Sequence, residues 1–80
     1  MISEAEKAHM QVGYKQALRA LAEDKVSKVF LSGDCDTKIS APIEKTANEK
    51  GVPLYYIATM KELGSLCGIE VGASCAVVLK

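Results

Sequence analysis

The chain has 80 residues, of which 49% are hydrophobic and 25% are charged, a composition typical of a globular domain and not of a disordered chain. Lys and Arg together number 10, Asp and Glu together number 10, and the formal net charge is zero. This balance argues against broad, nonspecific binding to polyanions but leaves room for a local basic site. The apolar runs are strand-sized, so we expect no membrane-spanning segment. Residues 1–7 lack the apolar core of a secretory signal, so we expect one cytoplasmic domain over residues 1–80.

The first elements in chain order are short. Residues 3–8 predict a polar helix, and residues 9–12 predict a brief strand that ends at Gly13. Residues 14–22 then follow a helical pattern. At about 100° per residue, one side of this helix collects apolar residues and the other side collects long polar residues. The apolar side consists of Tyr14, Ala17, Leu18 and Leu21, and the polar side of Lys15, Gln16 and Arg19.

The middle of the chain predicts a strand followed by a helix. Residues 28–31 are apolar enough for a buried strand, and turn residues follow them. We expect the next helix over residues 40–50. Ser40 suits its N-cap, Pro42 is tolerated in a first turn, and Gly51 is a natural terminator.

The last third predicts a strand, a short helix and a final strand. Residues 52–58 form the first of these strands. Thr59 and Glu62 have the spacing of a capping box and open a helix that stops at Gly68. The nearly unbroken apolar run at residues 74–79 predicts a strand covered on both faces. Because strands and helices alternate, we predict an α/β protein, a three-layer α/β/α sandwich with three or four strands.

The sequence offers little for catalysis or metal binding. Three cysteines, Cys35, Cys67 and Cys75, form an odd count without CxxC spacing, which argues against a disulfide framework or a zinc site. The two aspartates beside Cys35 disfavour the thiolate that a nucleophilic cysteine needs. His9 is the single histidine, and no phosphate-loop, dinucleotide or zinc-protease motif occurs. We therefore expect a non-enzymatic protein without catalytic residues, metal or cofactor.

The polar side of the helix over 14–22 is one candidate site. Lys15 and Arg19 are four residues apart, so both can reach anions on one side of the helix near its positive end. Gln16 carries a donor and an acceptor, which is what the reading of base edges requires. The alternative is an ordinary solvated helix face.

The segment "GIEVG" at residues 68–72 is a second candidate. Its glycines permit unusual backbone angles and the close approach of a partner. Ile69 and Val71 either fold back into the core or form an exposed apolar shelf for an unstacked base. Glu70 between them can accept hydrogen bonds from a base edge.

Four stretches together resemble a known family. "GYKQALRAL", "KVFLSGDC", "GVPLYYI" and "KELGSLCGIEVGASCAVVL" occur in that order between residues 9 and 79. This pattern resembles the kink-turn RNA-binding ribosomal protein family, of the L7Ae and L30e type, and its short bacterial members in particular. The resemblance implies an α/β/α sandwich with a small four-stranded mixed sheet. It also implies binding to kink-turns, which are sharply bent RNA helices with tandem sheared G·A pairs beside a short bulge.

The resemblance also implies residue roles. Gly13 would let the helix start approach the RNA backbone, Lys15 and Gln16 would lie in the groove by the G·A pairs, and Arg19 would contact phosphate. The loop that holds Ile69, Glu70 and Val71 would pack on the bulge and its extruded nucleotide, and Lys61 is a further phosphate contact. The implied partner is structured RNA, ribosomal RNA among the candidates, bound by a monomer.

The chain departs from the family pattern at two places. Many members carry an Asn-Glu pair where this chain has Lys15 and Gln16, so the hydrogen bonds to the G·A pairs must differ. The L30e branch often has an Asn-rich turn where this chain has Gly33 and Asp34, and an acid there repels phosphate. Two alternatives stay open: a protein-interaction module of the same fold, and a small hydrolase or redox protein that uses Cys35.

Overall fold

The computed structural model describes residues 4–69 and 71–80. These residues form four helices and four strands in alternation. The elements are α1 (Glu4–Ala8), β1 (Met10–Val12), α2 (Tyr14–Ala22), β2 (Val26–Ser32), α3 (Thr37–Lys50), β3 (Leu54–Ile57), α4 (Met60–Leu66) and β4 (Cys75–Leu79). None of the helices in these two ranges has both the length and the apolar character needed to cross a bilayer.

The strands form one mixed sheet in the order β1-β4-β2-β3. β4 runs antiparallel to both β1 and β2, with Ala76 opposite Val12 on one side and opposite Phe30 on the other. β3 runs parallel to β2, with Tyr55 opposite Phe30. The carboxyl ends of β1, β2 and β3 and the amino end of β4 therefore meet at one edge of the sheet, which we call the site edge.

Helices cover both faces of the sheet, and each face has its own core. Helices α2 and α3 pack on one face, and α4 packs on the other, where Glu6 of α1 also forms an ion pair with Lys28 of β2 (2.5 Å). The first core contains Ala17, Ala20, Leu21, Val26, Val29, Leu31, Ile43, Ala47, Cys75 and Val77, and the second contains Phe30, Ile57, Leu63, Ala73, Ala76 and Val78. The predicted α/β/α sandwich with a four-stranded mixed sheet is confirmed.

Helix α3 begins earlier than predicted. Its N-cap is Asp36, whose Oδ1 accepts a hydrogen bond from the Lys38 backbone N–H (2.9 Å). The predicted cap at Ser40 is wrong because Asp36, four residues upstream, already accepts a hydrogen bond from a free amide of the first turn. Pro42 consequently lies inside the helix and not in its first turn. The helix ends as predicted, at Gly51 with φ 68°.

Strands β2 and β3 also differ in length from their predicted ranges. β2 extends back to the buried Val26, which pairs with Leu79 across an irregularity before Lys28. β3 is shorter than predicted, because the Val52 N–H donates to the carbonyl of Ala47 at the end of α3. The terminal strand β4 is buried on both faces, as its unbroken apolar run predicts.

Candidate functional site

Helix α2 presents the polar face that its sequence predicts. Lys15, Gln16 and Arg19 are exposed, whereas Ala17 and Leu21 are fully buried in the first core. The 3.6-residue period of the helix separates the two groups. Three long polar side chains therefore project from the first two turns of α2 and leave its packing undisturbed.

Gly13 connects the start of α2 to the sheet. Its N–H donates to the carbonyl of Cys75 (3.1 Å), and its carbonyl accepts from the Ala17 N–H (3.0 Å). Its φ of 120° and ψ of 152° are strongly disfavoured for residues with a side chain. A Cβ at this position would lie 2.8 Å from Oε1 of Gln16, so the amide of Gln16 covers the bare glycine.

The segment that follows α4 lies against that helix through backbone contacts. The Ile69 N–H donates to the Gly64 carbonyl (3.0 Å), and the Ala73 N–H donates to the Met60 carbonyl (2.9 Å). A Cβ on Gly64 would stand 2.1 Å from the carbonyl oxygen of Val71, so a glycine is required for this approach. The sequence analysis did not identify Gly64. The signal that could have indicated its role is the presence of a glycine inside a predicted helix, where glycine is unfavourable.

The apolar side chains of this segment point into solvent. Ile69 is 36% exposed and Val71 is 71% exposed. Of the two alternatives for these residues, core packing or an exposed apolar shelf, the structure has the exposed shelf. Glu70, predicted as a hydrogen-bond acceptor between them, lies outside the described residues.

The segments that carry the two candidate surfaces both lead to the site edge. The bond from Gly13 to Cys75 joins the start of α2 to the first residue of β4, and the Ser32 N–H donates to the Ser74 carbonyl (3.0 Å). The segment that carries Val71 enters β4 at Ser74 and Cys75. The start of α2 and the segment that carries the apolar shelf therefore both lead to the same end of the sheet, from opposite faces.

The start of α4 belongs to the same edge. Oδ1 of Asp34 accepts a hydrogen bond from the Met60 N–H (2.8 Å), and Oγ1 of Thr59 accepts one from the Glu62 N–H (3.1 Å). The Thr59 half of the predicted capping box is therefore formed. Lys61 is exposed in the first turn. Asp34 directs its carboxylate at a helix amide, so its charge stabilises the positive end of α4 and is partly neutralised there.

The three cysteines are free thiols. Cys75 is fully buried and Cys67 packs on the second core, and burial raises the pKa of both thiols above the ordinary value of 9.0. Cys35 is half-buried, and His9, the single histidine, is exposed. Among residues 4–69 and 71–80, no three His, Cys, Asp or Glu side chains are grouped as a metal site would need.

The sequence matches the ribosomal protein L7Ae/L30e/S12e/Gadd45 family over residues 2–80. The chain belongs to this family. An RNA-binding protein of Caldanaerobacter subterraneus subsp. tengcongensis is 45% identical over 65 residues, which cover 81% of this chain and 79% of the relative. RNA-binding protein YbxF of Geobacillus stearothermophilus is 38% identical over 69 residues, which cover 86% of this chain and 84% of the relative. These names describe RNA-binding proteins and not enzymes, in agreement with the expectation from sequence.

Solved structures of similar fold extend the comparison. The 15.5 kD RNA-binding protein of Giardia lamblia superposes with a TM-score of 0.85 and is 26% identical, and the match covers 91% of this chain and 62% of that one. A Bacillus halodurans protein of unknown function superposes with a TM-score of 0.84 at 18% identity, covering 95% of this chain and 76% of that one. The second similarity concerns the fold alone. Both agree with the L7Ae-family sandwich described above.

Proposed function

We propose that this member of the L7Ae family binds structured RNA, and that the RNA is a kink-turn or a related internal loop. The observation that carries the proposal is that the segments bearing two chemically different exposed surfaces both lead to the site edge. One is the polar face of α2, formed by Lys15, Gln16 and Arg19, and the other is the exposed shelf of Ile69 and Val71. The RNA-binding names of the relatives support the class of partner.

In this proposal the polar face reads the G·A pairs. Lys15 and Gln16 enter the groove beside the tandem pairs, with Gln16 supplying both a donor and an acceptor to base edges. Arg19, one turn further along α2, contacts phosphate. Gly13 contributes by the absence of a side chain, since a Cβ would displace the Gln16 amide and hold the RNA backbone away.

The apolar shelf receives the extruded nucleotide of the bulge. Ile69 and Val71 offer apolar surface to a base that has left its stack, which is how proteins commonly recognise unpaired RNA. Lys61, exposed in the first turn of α4, supplies a further phosphate contact. Glu70 remains a predicted acceptor for a base edge. Because the chain has no net charge and the proposed site offers three cations, we expect few phosphate contacts and a moderate affinity that is sensitive to salt.

A charge-matched pair of double variants tests this assignment. Replacing Lys15 and Arg19 by Ala should weaken binding to a kink-turn RNA by about 2 kcal/mol, on the order of 1 kcal/mol per lost contact. Lys45→Ala with Lys50→Ala removes the same charge from α3 and should leave the affinity close to that of the parent. A gel-shift titration of both folded double variants measures the difference. Equal affinities would refute the assigned face.

The location of this RNA in the cell is a further part of the proposal. The family resemblance favours ribosomal or ribosome-associated RNA, bound by a monomeric protein. Mobility of the protein with ribosomal particles in a sucrose gradient checks this part, and it should be lost in the Lys15 and Arg19 double variant. Gradient association that persists in the double variant would favour the alternative, a protein-interaction module of the same fold.

A further inference from the structure

A groove lies beside the polar face of α2, on the flank that faces the outer strand β1. Its volume is about 220 Å³. Its walls come from β1, from one flank of α2, from the turn after α2 and from the end of β4. The lining residues are Gln11, Gln16, Arg19, Ala20, Glu23, Lys25 and Leu79.

The groove exists because β1 is short and lies at the edge of the sheet. β1 has three residues and pairs with β4, and no further strand in the described part of the chain lies outside it. Its residues alternate, so Met10 and Val12 pack on the second core while Gln11 faces the side of α2. Gln16, Ala20 and Glu23 follow at spacings of three to four residues and form one flank of the helix. This side of α2 is longer than β1, so a recess lies between the helix and the strand.

The lining combines polar groups of both charges with an apolar floor, and this combination favours one type of ligand. Two amides, a guanidinium, an ammonium and a carboxylate supply donors and acceptors. Ala20 is buried and Leu79 is half-buried, so the floor is apolar. A phosphate fits poorly because the carboxylate of Glu23 stands among the cations. A heterocycle with donors on one edge and acceptors on another matches the chemistry of these groups.

Guanine has that arrangement of groups. Its N1–H and N2 amino groups can donate to a carboxylate, and its O6 and N7 can accept from an arginine. Adenine presents an acceptor at N1, which a carboxylate repels. Arg19 lies in the last turn of α2, and Glu23 is the C-cap residue whose N–H donates to the Arg19 carbonyl (3.1 Å), so the two residues are neighbours.

The carboxylate of Glu23 can accept hydrogen bonds from a ligand at little cost in free energy. Its Oε1 lies 3.2 Å from Nζ of Lys25, and both side chains are exposed. Exposed ion pairs of this kind contribute at most about 1 kcal/mol. A carboxylate also has four acceptor positions, so it can hold Lys25 and a base edge together.

We propose that this groove binds a guanine base, with Glu23 accepting from N1–H and N2 and Arg19 donating to O6 and N7. Where the base belongs to the bound RNA, the inference rests on the proposed function, since Gln16 and Arg19 line both surfaces. A free guanine nucleotide presents the same edges to the groove. Gln11, Glu23 and Lys25 belong to the groove and not to the kink-turn site.

The first arm of the test uses free nucleotides. Isotope-labelled protein is titrated with GMP and with AMP, and the amide resonances around the groove are followed. GMP should produce saturable shifts at Gln11, Arg19 and Glu23 and bind roughly fivefold or more tightly than AMP. Glu23→Gln should abolish the preference, because an amide cannot accept two parallel hydrogen bonds. Glu49→Gln, an exposed acid on α3 that does not line the groove, should retain it.

The second arm uses RNA. A blunt-ended kink-turn RNA is compared with the same RNA carrying unpaired three-nucleotide guanine or adenine extensions at its ends. If the base comes from RNA, guanine extensions should raise the affinity roughly fivefold or more, and Glu23→Gln should remove the gain without changing the affinity for blunt RNA. A guanine preference confined to GMP would assign the groove to a free nucleotide. Absence of a guanine preference in both arms overturns the proposal, whereas failure of blunt RNA to bind contradicts the kink-turn assignment alone.

Discussion

At the scale of single residues, Gly13 is the position where the backbone and the candidate site depend most directly on each other. Its φ of 120° favours glycine, and a Cβ would meet the Gln16 amide at 2.8 Å. Gly13→Ala should therefore destabilise the protein by about 1–3 kcal/mol. Urea denaturation measures this change.

A double-mutant cycle separates the contributions of backbone strain and steric contact to the loss of stability in Gly13→Ala. In the Gln16→Ala background the steric contact is gone, but the backbone strain remains. Because Gln16 is exposed and can move, we expect its removal to recover a few tenths of a kcal/mol, within the usual range of coupling between neighbours. Full recovery would show that Gly13 is required for space and not for its backbone angle.

Asp34 has a structural role that the sequence did not indicate. From its place in the turn after β2, the sequence predicted that its carboxylate repels RNA phosphate. In the folded protein its carboxylate accepts a hydrogen bond from Met60 N–H, 26 residues away in the chain. No local pattern indicates that bond, because its partner is brought there by the pairing of β2 with β3.

At the scale of elements, the contact between α4 and the segment after it builds the apolar shelf. Gly64→Ala would place a methyl group 2.1 Å from the Val71 carbonyl oxygen, so the segment must move away from the helix. The gain in helix propensity, about 1 kcal/mol, partly offsets this displacement. We expect a folded protein whose Ile69 and Ala73 amides exchange with solvent faster and whose affinity for kink-turn RNA falls.

Ser65→Ala is the matched control for this prediction. Ser65 is the next residue of α4 and is exposed, so replacing it by Ala also introduces an alanine into this helix but adds no group against the segment. Hydrogen exchange at Ile69 and Ala73 should match that of the parent protein. Unchanged exchange in the Gly64→Ala variant as well would contradict the role assigned to Gly64.

Local sequence rules predicted elements best where one signal dominated. The amphipathic period of α2, the apolar run of β4 and the Thr59 cap of α4 are all present as expected. The start of α3 was wrong because Asp36 and Ser40 are both good caps, and sequence alone does not rank them. The exposure of Ile69 and Val71 could not be decided, because it depends on a tertiary contact with Gly64.

At the scale of the whole molecule, four groups link stability to alkaline pH. Burial raises the pKa of Cys67 and Cys75 above 9.0 and, together with a hydrogen bond to Glu44, that of Tyr56 above 10.0. A hydrogen bond to Glu6 raises the pKa of Lys28 above 10.5. In each case the folded chain holds its proton to higher pH than the unfolded chain, so the folded state binds more protons there.

Stability should therefore fall as the pH rises above about 9, where the unfolded thiols begin to ionise. The slope is at most about 1.4 kcal/mol per pH unit for a buried thiol such as that of Cys75. Urea midpoints between pH 7 and pH 10 measure the trend. Cys75→Ala, although less stable at neutral pH, should show a shallower decline, and a midpoint that rises toward pH 10 would contradict the assignment.

At this scale we propose that the polar face of α2 and the shelf of Ile69 and Val71 bind one RNA together at the edge where three strands end and β4 begins. The most direct measurement is a gel-shift titration of the protein with a kink-turn RNA and with the same RNA whose tandem G·A pairs are replaced by Watson–Crick pairs. The account predicts binding to the first RNA and a loss of roughly 30-fold or more in affinity for the second, since each base pair read at its edges contributes about 1–3 kcal/mol. Equal affinity for the two RNAs would contradict it.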